Sequence, residues 1–175
     1  DLMIHDLDIV LTFVSSKIEH VDATGVRVLS QSEDIANARL RFSNGCVANL
    51  TASRVSPEQM RKIRVFSGGE EPSYLSLDYR DQKGFHYRLA KDDEKESSFF
   101  KKLLIAKDSK IISQFGGKKV LREPVPIEHK EPLKVELESF VNCVKKKQVP
   151  IVSGESARQA IELALEITRQ IEQQS

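Results

Sequence analysis

The 175-residue chain has no tryptophan, only two cysteines, and aromatic residues at 6%. Cys46 and Cys143 stand apart without a C-x-x-C, so the spacing offers neither a disulfide framework nor a zinc site. No apolar run approaches the roughly 20 residues that span a bilayer, and no signal peptide is visible. The expected location is the cytoplasm. A charge of one sign is also missing: Lys plus Arg number 27 against 26 for Asp plus Glu, a net charge of +1. A nucleic-acid binder needs a basic excess to displace counterions, and the sequence offers no stacking set of aromatics. The short runs Lys118-Lys119 and Lys145-Lys146-Lys147 therefore read as solvated ends of elements. The chain also lacks a G-x-G-x-x-G turn. Gly68-Gly69 and Gly116-Gly117 fall in loops between expected strands, where they build no dinucleotide site.

What is present is an ordinary globular composition, 39% apolar and 30% charged. Residues 3–14 carry a helical pattern and residues 18–29 an extended one. Residues 36–42 (ANARLRF) alternate, with Ala36, Ala38, Leu40 and Phe42 on one face. Asn44-Gly45 then predicts a hairpin into residues 46–55, because both residues tolerate positive φ. Asn49-Leu50-Thr51 matches a glycosylation sequon by accident, inside that strand. Further short strands are expected at 61–68, 74–79 and 85–91. The segment 99–106 (FFKKLLIA) fits either a strand or an amphipathic turn, and strands are expected around Gly116-Gly117. After Pro132 the period becomes helical, with Leu133, Leu137, Phe140, Val141 and Val144 on one stripe. Ser153 reads as an N-cap for a last helix whose inner stripe is Ala157, Ala160, Ile161, Ala164, Ile167, Thr168 and Ile171. The expected fold class is α+β: two layers, a largely antiparallel open-faced sheet with helices packed on one face.

The opening segment, DLMIHDLDIVLTF, carries the chemistry. On a helical wheel Asp1, His5, Asp8 and Thr12 share an arc of roughly 60°. Apolar side chains cover most of the rest, so the helix has a narrow polar slot instead of a broad wet face. Carboxylates beside an imidazole in such a setting are costly unless paired or used. A histidine so placed is a usual proton shuttle, with an adjacent Asp orienting its ring. The bland alternative is a structural cluster in which Asp1 merely caps the first turn.

The string D-L-M-I-H-D-L-D-I-V, with PLKVELESFVNCV and VPIVSGESARQAIELALEI near the end, resembles the C-terminal domain of the Gfo/Idh/MocA oxidoreductases. That family includes glucose–fructose oxidoreductase and inositol dehydrogenase. The resemblance covers essentially the whole chain and is weak across 92–123. It implies that residues 1–175 form one substrate-binding and oligomerisation domain, and that an N-terminal dinucleotide-binding domain is missing here. It further implies an NAD(P)-dependent dehydrogenase acting on a secondary alcohol of a sugar, polyol or nucleotide sugar, with a UDP-N-acetylhexosamine oxidised at carbon 3 as one instance. In these terms Asp1 and His5 are the catalytic pair, His5 as general base, and Asp8 and Thr12 bind substrate. NAD or NADP would be bound mainly by the missing domain, and no cofactor or metal site is expected in residues 1–175. The fragment alone is expected to be inactive.

Arg54, at the end of a strand of small residues, could reach a phosphate or carboxylate of the substrate, or could be an ordinary surface cation. His20, His86 and His129 share no metal-like spacing and read as structural. The alternating strands leave a second sheet face that is only half polar, expected to pack on the same face of another copy as a homodimer or tetramer. The rival to catalysis is a sheet-mediated dimerisation or ligand-sensing module, and the Asp1–His5 pair argues against it.

Overall fold

A computed structural model describes residues 2–90, 110–115 and 117–174. The chain divides into two compact units, Asp1–Pro57 with Glu136–Ser175, and Glu58–Val135. Among the described residues the helices are α1 (Ile4–Phe13), α2 (Pro132–Lys146) and α3 (Gly154–Glu172). The fold is α+β with antiparallel strands, as expected, but the strands form two sheets and not one.

The first sheet, in the first unit, is the meander β1 (Ile18–Val26), β2 (Ile35–Phe42) and β3 (Val47–Ser53). Period two governs its register. Ala23 faces Ala38 and Ala38 faces Leu50, while Val21 faces Leu40 and Leu40 faces Ala48. These rows point inward, and Leu40 is fully buried. The hairpin lies where Asn-Gly predicts it: Gly45 has φ +83°, and Asn44 Oδ1 accepts the Cys46 N–H at 3.0 Å. Helices α1 and α3 cover the inner face. Met3 and Leu7 of the α1 segment pack with Leu163, Ile167 and Ile171 of α3.

The last helix is rotated from its expected stripe. Ala160, Leu163, Ile167 and Ile171 are buried, whereas Ile161 and Ala157 are exposed. Spacings of three and four from Ala160 select Leu163 and not Ile161. Ser153 does cap it, its hydroxyl accepting the Ser156 N–H at 3.2 Å.

The opposite face of this sheet carries both polar and apolar residues. Its centre is polar: Asp22, Arg39 and Asn49 form one row, Thr24, Asn37 and Thr51 the next. Arg39 donates to Asn49 Oδ1 at 3.1 Å, and the Thr51 hydroxyl to Asn37 Oδ1 at 2.8 Å. Val26, Ile35 and Val47 also fall on this side by register, at the ends of the strands, so apolar residues frame the polar centre.

The second unit is a five-stranded sheet in the order β4 (Lys62–Ser67), β5 (Ser73–Asp78), β6 (Lys83–Leu89), β8 (Lys118–Pro124), β7 (Lys110–Phe115). Ser56-Pro57 follows β3, and Pro removes a ladder donor, which suits a break between sheets. Phe66, Tyr74 and Tyr87 align across three strands and stack, with centroids 4.7 and 4.8 Å apart. The sequence reading found no stacking set, because only strand register brings these rings together. Tyr74 lies between its two neighbours, so its faces are already taken. Arg88 grips Glu123 through two bonds, Nε to Oε2 at 2.9 Å and Nη2 to Oε1 at 2.8 Å.

Helix α2 spans the boundary between the units. Its stripe of Leu133, Leu137, Phe140, Val141 and Val144 is exposed. Residues 99–106 lie outside the described residues.

Candidate active site

Helix α1 begins at Ile4, with Met3 at its N-cap, so the helical expectation for 3–14 holds to within one residue. Its buried side is set by Met3 and Leu7, with Val10, Leu11 and Val14 packed alongside. At about 100° per residue, that side lies nearly opposite the polar arc. His5 and Thr12 are accordingly exposed and Asp8 is half-buried. The slot thus faces outward, and Leu2 and Phe13 are exposed as well. Thr12 donates its hydroxyl to the Asp8 backbone carbonyl at 2.9 Å, which leaves its lone pairs for a ligand. Asp1 lies outside the described residues.

The first turn of α1 opens on a pocket of about 150 Å³ within the first unit. Leu2, Met3 and Ile4 form one wall; Ile167, Thr168 and Ile171 of α3 form another. Ala36 and Ala52 of the sheet and Arg54 complete it. The structure therefore brings Arg54 to the head of α1. His5, Asp8 and Thr12 do not line this pocket.

Arg54 is held by a residue that sequence reasoning missed. Asp34 is buried, its side chain 1% exposed. Its Oδ2 accepts the N–H groups of Val28, Leu29 and Ser30 at 2.9, 2.6 and 2.9 Å. Its Oδ1 takes the Ser30 hydroxyl at 2.8 Å and lies 3.9 Å from Arg54 Nε. The Leu29 amide first, then Ser30 and Val28, holds the carboxyl well below the usual carboxylate range. Arg54 also donates its backbone N–H to the Asp34 carbonyl at 2.9 Å, and Nη1 to Ser32 Oγ at 3.4 Å. The signal was available as Ser30-Gln31-Ser32-Glu33-Asp34 between two strands, since Ser and Asp side chains wind turns around themselves. This winding also ends β1 at Val26, short of the expected 29.

Neither histidine metal sites nor a nucleotide cradle are built from the described residues. No group of three or more His, Cys, Asp or Glu among them could hold a metal ion. His86 Nδ1 lies 3.9 Å from Glu123 Oε2. Cys46 and Cys143 are free thiols. No helix among the described residues is long and apolar enough to cross a membrane. A dinucleotide needs a glycine-rich turn from strand to helix. Gly45, Gly68, Gly69 and Gly117 lie between strands, Gly25 and Gly84 within strands, and Gly154 begins α3 without a preceding strand. These residues do not fit NAD or NADP.

The GFO/IDH/MocA C-terminal domain family model matches residues 1–70. The UDP-N-acetylglucosamine 3-dehydrogenase of Acidithiobacillus ferrooxidans is 28% identical over 172 residues, covering 98% of this chain and 48% of that protein. The chain thus spans about half the length of that curated relative. A solved structure of the same enzyme superposes with a TM-score of 0.75 over 98% of this chain and 46% of its own. The WlbA dehydrogenase from Bordetella pertussis, solved with NADH and UDP-GlcNAcA, shares the fold at 15% identity and a TM-score of 0.54, over 100% of this chain and 42% of its own. With that match at its head and that fold over its length, the chain is similar to the C-terminal domains of the Gfo/Idh/MocA oxidoreductases.

Proposed function

We propose that this chain is the substrate half of an NAD(P)-dependent dehydrogenase that oxidises or reduces a secondary alcohol of a nucleotide sugar, with a UDP-N-acetylhexosamine as substrate. The observation that carries this reading is the convergence of the head of α1 and Arg54 on one pocket. The similarity to a UDP-N-acetylglucosamine 3-dehydrogenase supports the substrate class. In this reading His5, exposed at the side of α1, takes the proton of the reacting hydroxyl. Asp1, four residues earlier in the sequence, orients the ring or the substrate. Asp8 accepts a hydrogen bond from a neighbouring hydroxyl, and Thr12 offers its lone pairs. NAD or NADP, the hydride acceptor, belongs to a nucleotide-binding half outside residues 1–175.

The same reading includes self-association through the open face of the first sheet. The row Asp22, Arg39, Asn49 suits a two-fold contact, because rotation sets Asp22 of one copy against Arg39 of the other. Sedimentation over a dilution series then gives a concentration-dependent mass; a constant monomer mass up to high micromolar concentration would refute this.

The test of function is turnover by the full-length protein that carries this domain. Reduced nicotinamide should accumulate with UDP-N-acetylglucosamine and either NAD or NADP. No reduction with any UDP-hexose or UDP-hexosamine, with both cofactors, would overturn the proposal.

A further inference from the structure

The pocket beside Arg54 pairs a charged rim with an apolar floor. Asp34 sits 3.9 Å from Arg54 Nε, and Glu33, also on the wall, has Arg27 at 3.3 Å. Each guanidinium has its own carboxylate. A phosphate or carboxylate entering here would meet two carboxylates as well as Arg54, so the pocket has no net attraction for an anion. The guanidinium remains a hydrogen-bond donor, its side chain 52% exposed. Below it the wall is built of the small side chains Ala36, Ala52 and Ala164, closed by Ile167 and Ile171. Any of those alanines replaced by a larger residue would fill the space. A space near 150 Å³ with an apolar floor takes a short aliphatic group or a small ring there. The chemistry required of an occupant is a neutral acceptor with an alkyl end.

We infer that this pocket is a specificity site for an N-acyl group on the substrate, its carbonyl accepting from Arg54 and its alkyl end resting on Ala36, Ala52 and Ala164. The inference rests on the nucleotide-sugar reading above and assigns the acyl group to a particular pocket. It also replaces the role expected of Arg54 as a grip on phosphate or carboxylate. One methyl group in an apolar pocket discriminates by about tenfold or more, so the acyl preference is expected at that scale.

The experiment is calorimetric titration of the full-length protein with UDP-N-acetylglucosamine and with UDP-glucose, alongside turnover of both. The acylated ligand binds at least about tenfold more tightly, and Ala52→Leu, which fills the pocket, closes that gap. Arg54→Gln, at a half-exposed side chain and so safe for folding, narrows it as well. Equal binding of the two ligands by the unaltered protein overturns the inference. So does Arg54→Gln weakening both ligands by one factor, since Arg54 would then hold the shared diphosphate. Turnover separates the two readings. An acyl preference in binding without any reduction of nicotinamide leaves the pocket standing and sinks the dehydrogenase. Turnover without preference does the reverse.

Discussion

Leu40→Ala should destabilise the first unit more than Leu7→Ala, although both leucines are fully buried. Each substitution removes three carbons from the same core cluster, about 2.4 kcal/mol at roughly 0.8 kcal/mol per carbon. The difference lies in what is left behind. Leu40, on the central strand β2 and off the pocket wall, leaves an enclosed void. If about 50 Å³ of it persists, at about 24 cal/mol per Å³ it adds about 1.2 kcal/mol. The total is about 3.6 kcal/mol. Leu7 already lines the pocket of about 150 Å³. Its void opens into existing space, so the cavity penalty is mostly absent and the cost stays near 2.4 kcal/mol. Urea unfolding followed by circular dichroism, with equal slopes for the two variants, measures both. A Leu7→Ala cost equal to or above that of Leu40→Ala would refute the placement of the pocket against α1.

Two other perturbations test the parts that hold the site. The Asp34 carboxyl titrates below its unfolded value, so its stabilisation is complete above about pH 4 and lost as pH falls toward the folded value. Asp34→Asn should therefore flatten the fall in urea midpoint between pH 5 and pH 2; an unchanged acid limb would deny Asp34 its role. Gly25→Ala would put a Cβ 2.5 Å from Ile171 Cγ2 and 2.7 Å from Glu33 Cγ. It should cost about 1–3 kcal/mol by overpacking β1 against α3, and adding Ile171→Ala should recover part of that loss. A neutral Gly25→Ala would mean that β1 and α3 are not in contact there.

Local signals in this sequence translated well into local structure. The period-two run at 36–42, the Asn44-Gly45 turn and the Ser153 cap each act within a few residues, and each is where it was expected. Signals that depend on register did not translate. The stack of Phe66, Tyr74 and Tyr87 joins residues from three strands, and no single segment announces it. The two-sheet division depends on how hairpins pair beyond Pro57, which composition does not state. Helix α2 has a clean apolar stripe, yet amphipathicity gives only a face and not what covers it. In the site, the apolar periodicity of α1 tells which side packs inward, but it does not tell that the polar arc opposite is exposed at His5 and Thr12. Asp34 was not legible, because its role appears only when residues 28–30 wrap around its carboxylate.

The most direct test of the catalytic role of the opening slot is the kcat of His5→Ala in the full-length protein. A general base acts in the transition state, so kcat should fall about 10²–10⁴-fold with a much smaller change in KM, and the acid limb of the pH–rate profile should disappear. If kcat and its pH profile stay intact and only thermal stability falls, the slot on α1 is a structural feature and His5 is not the base.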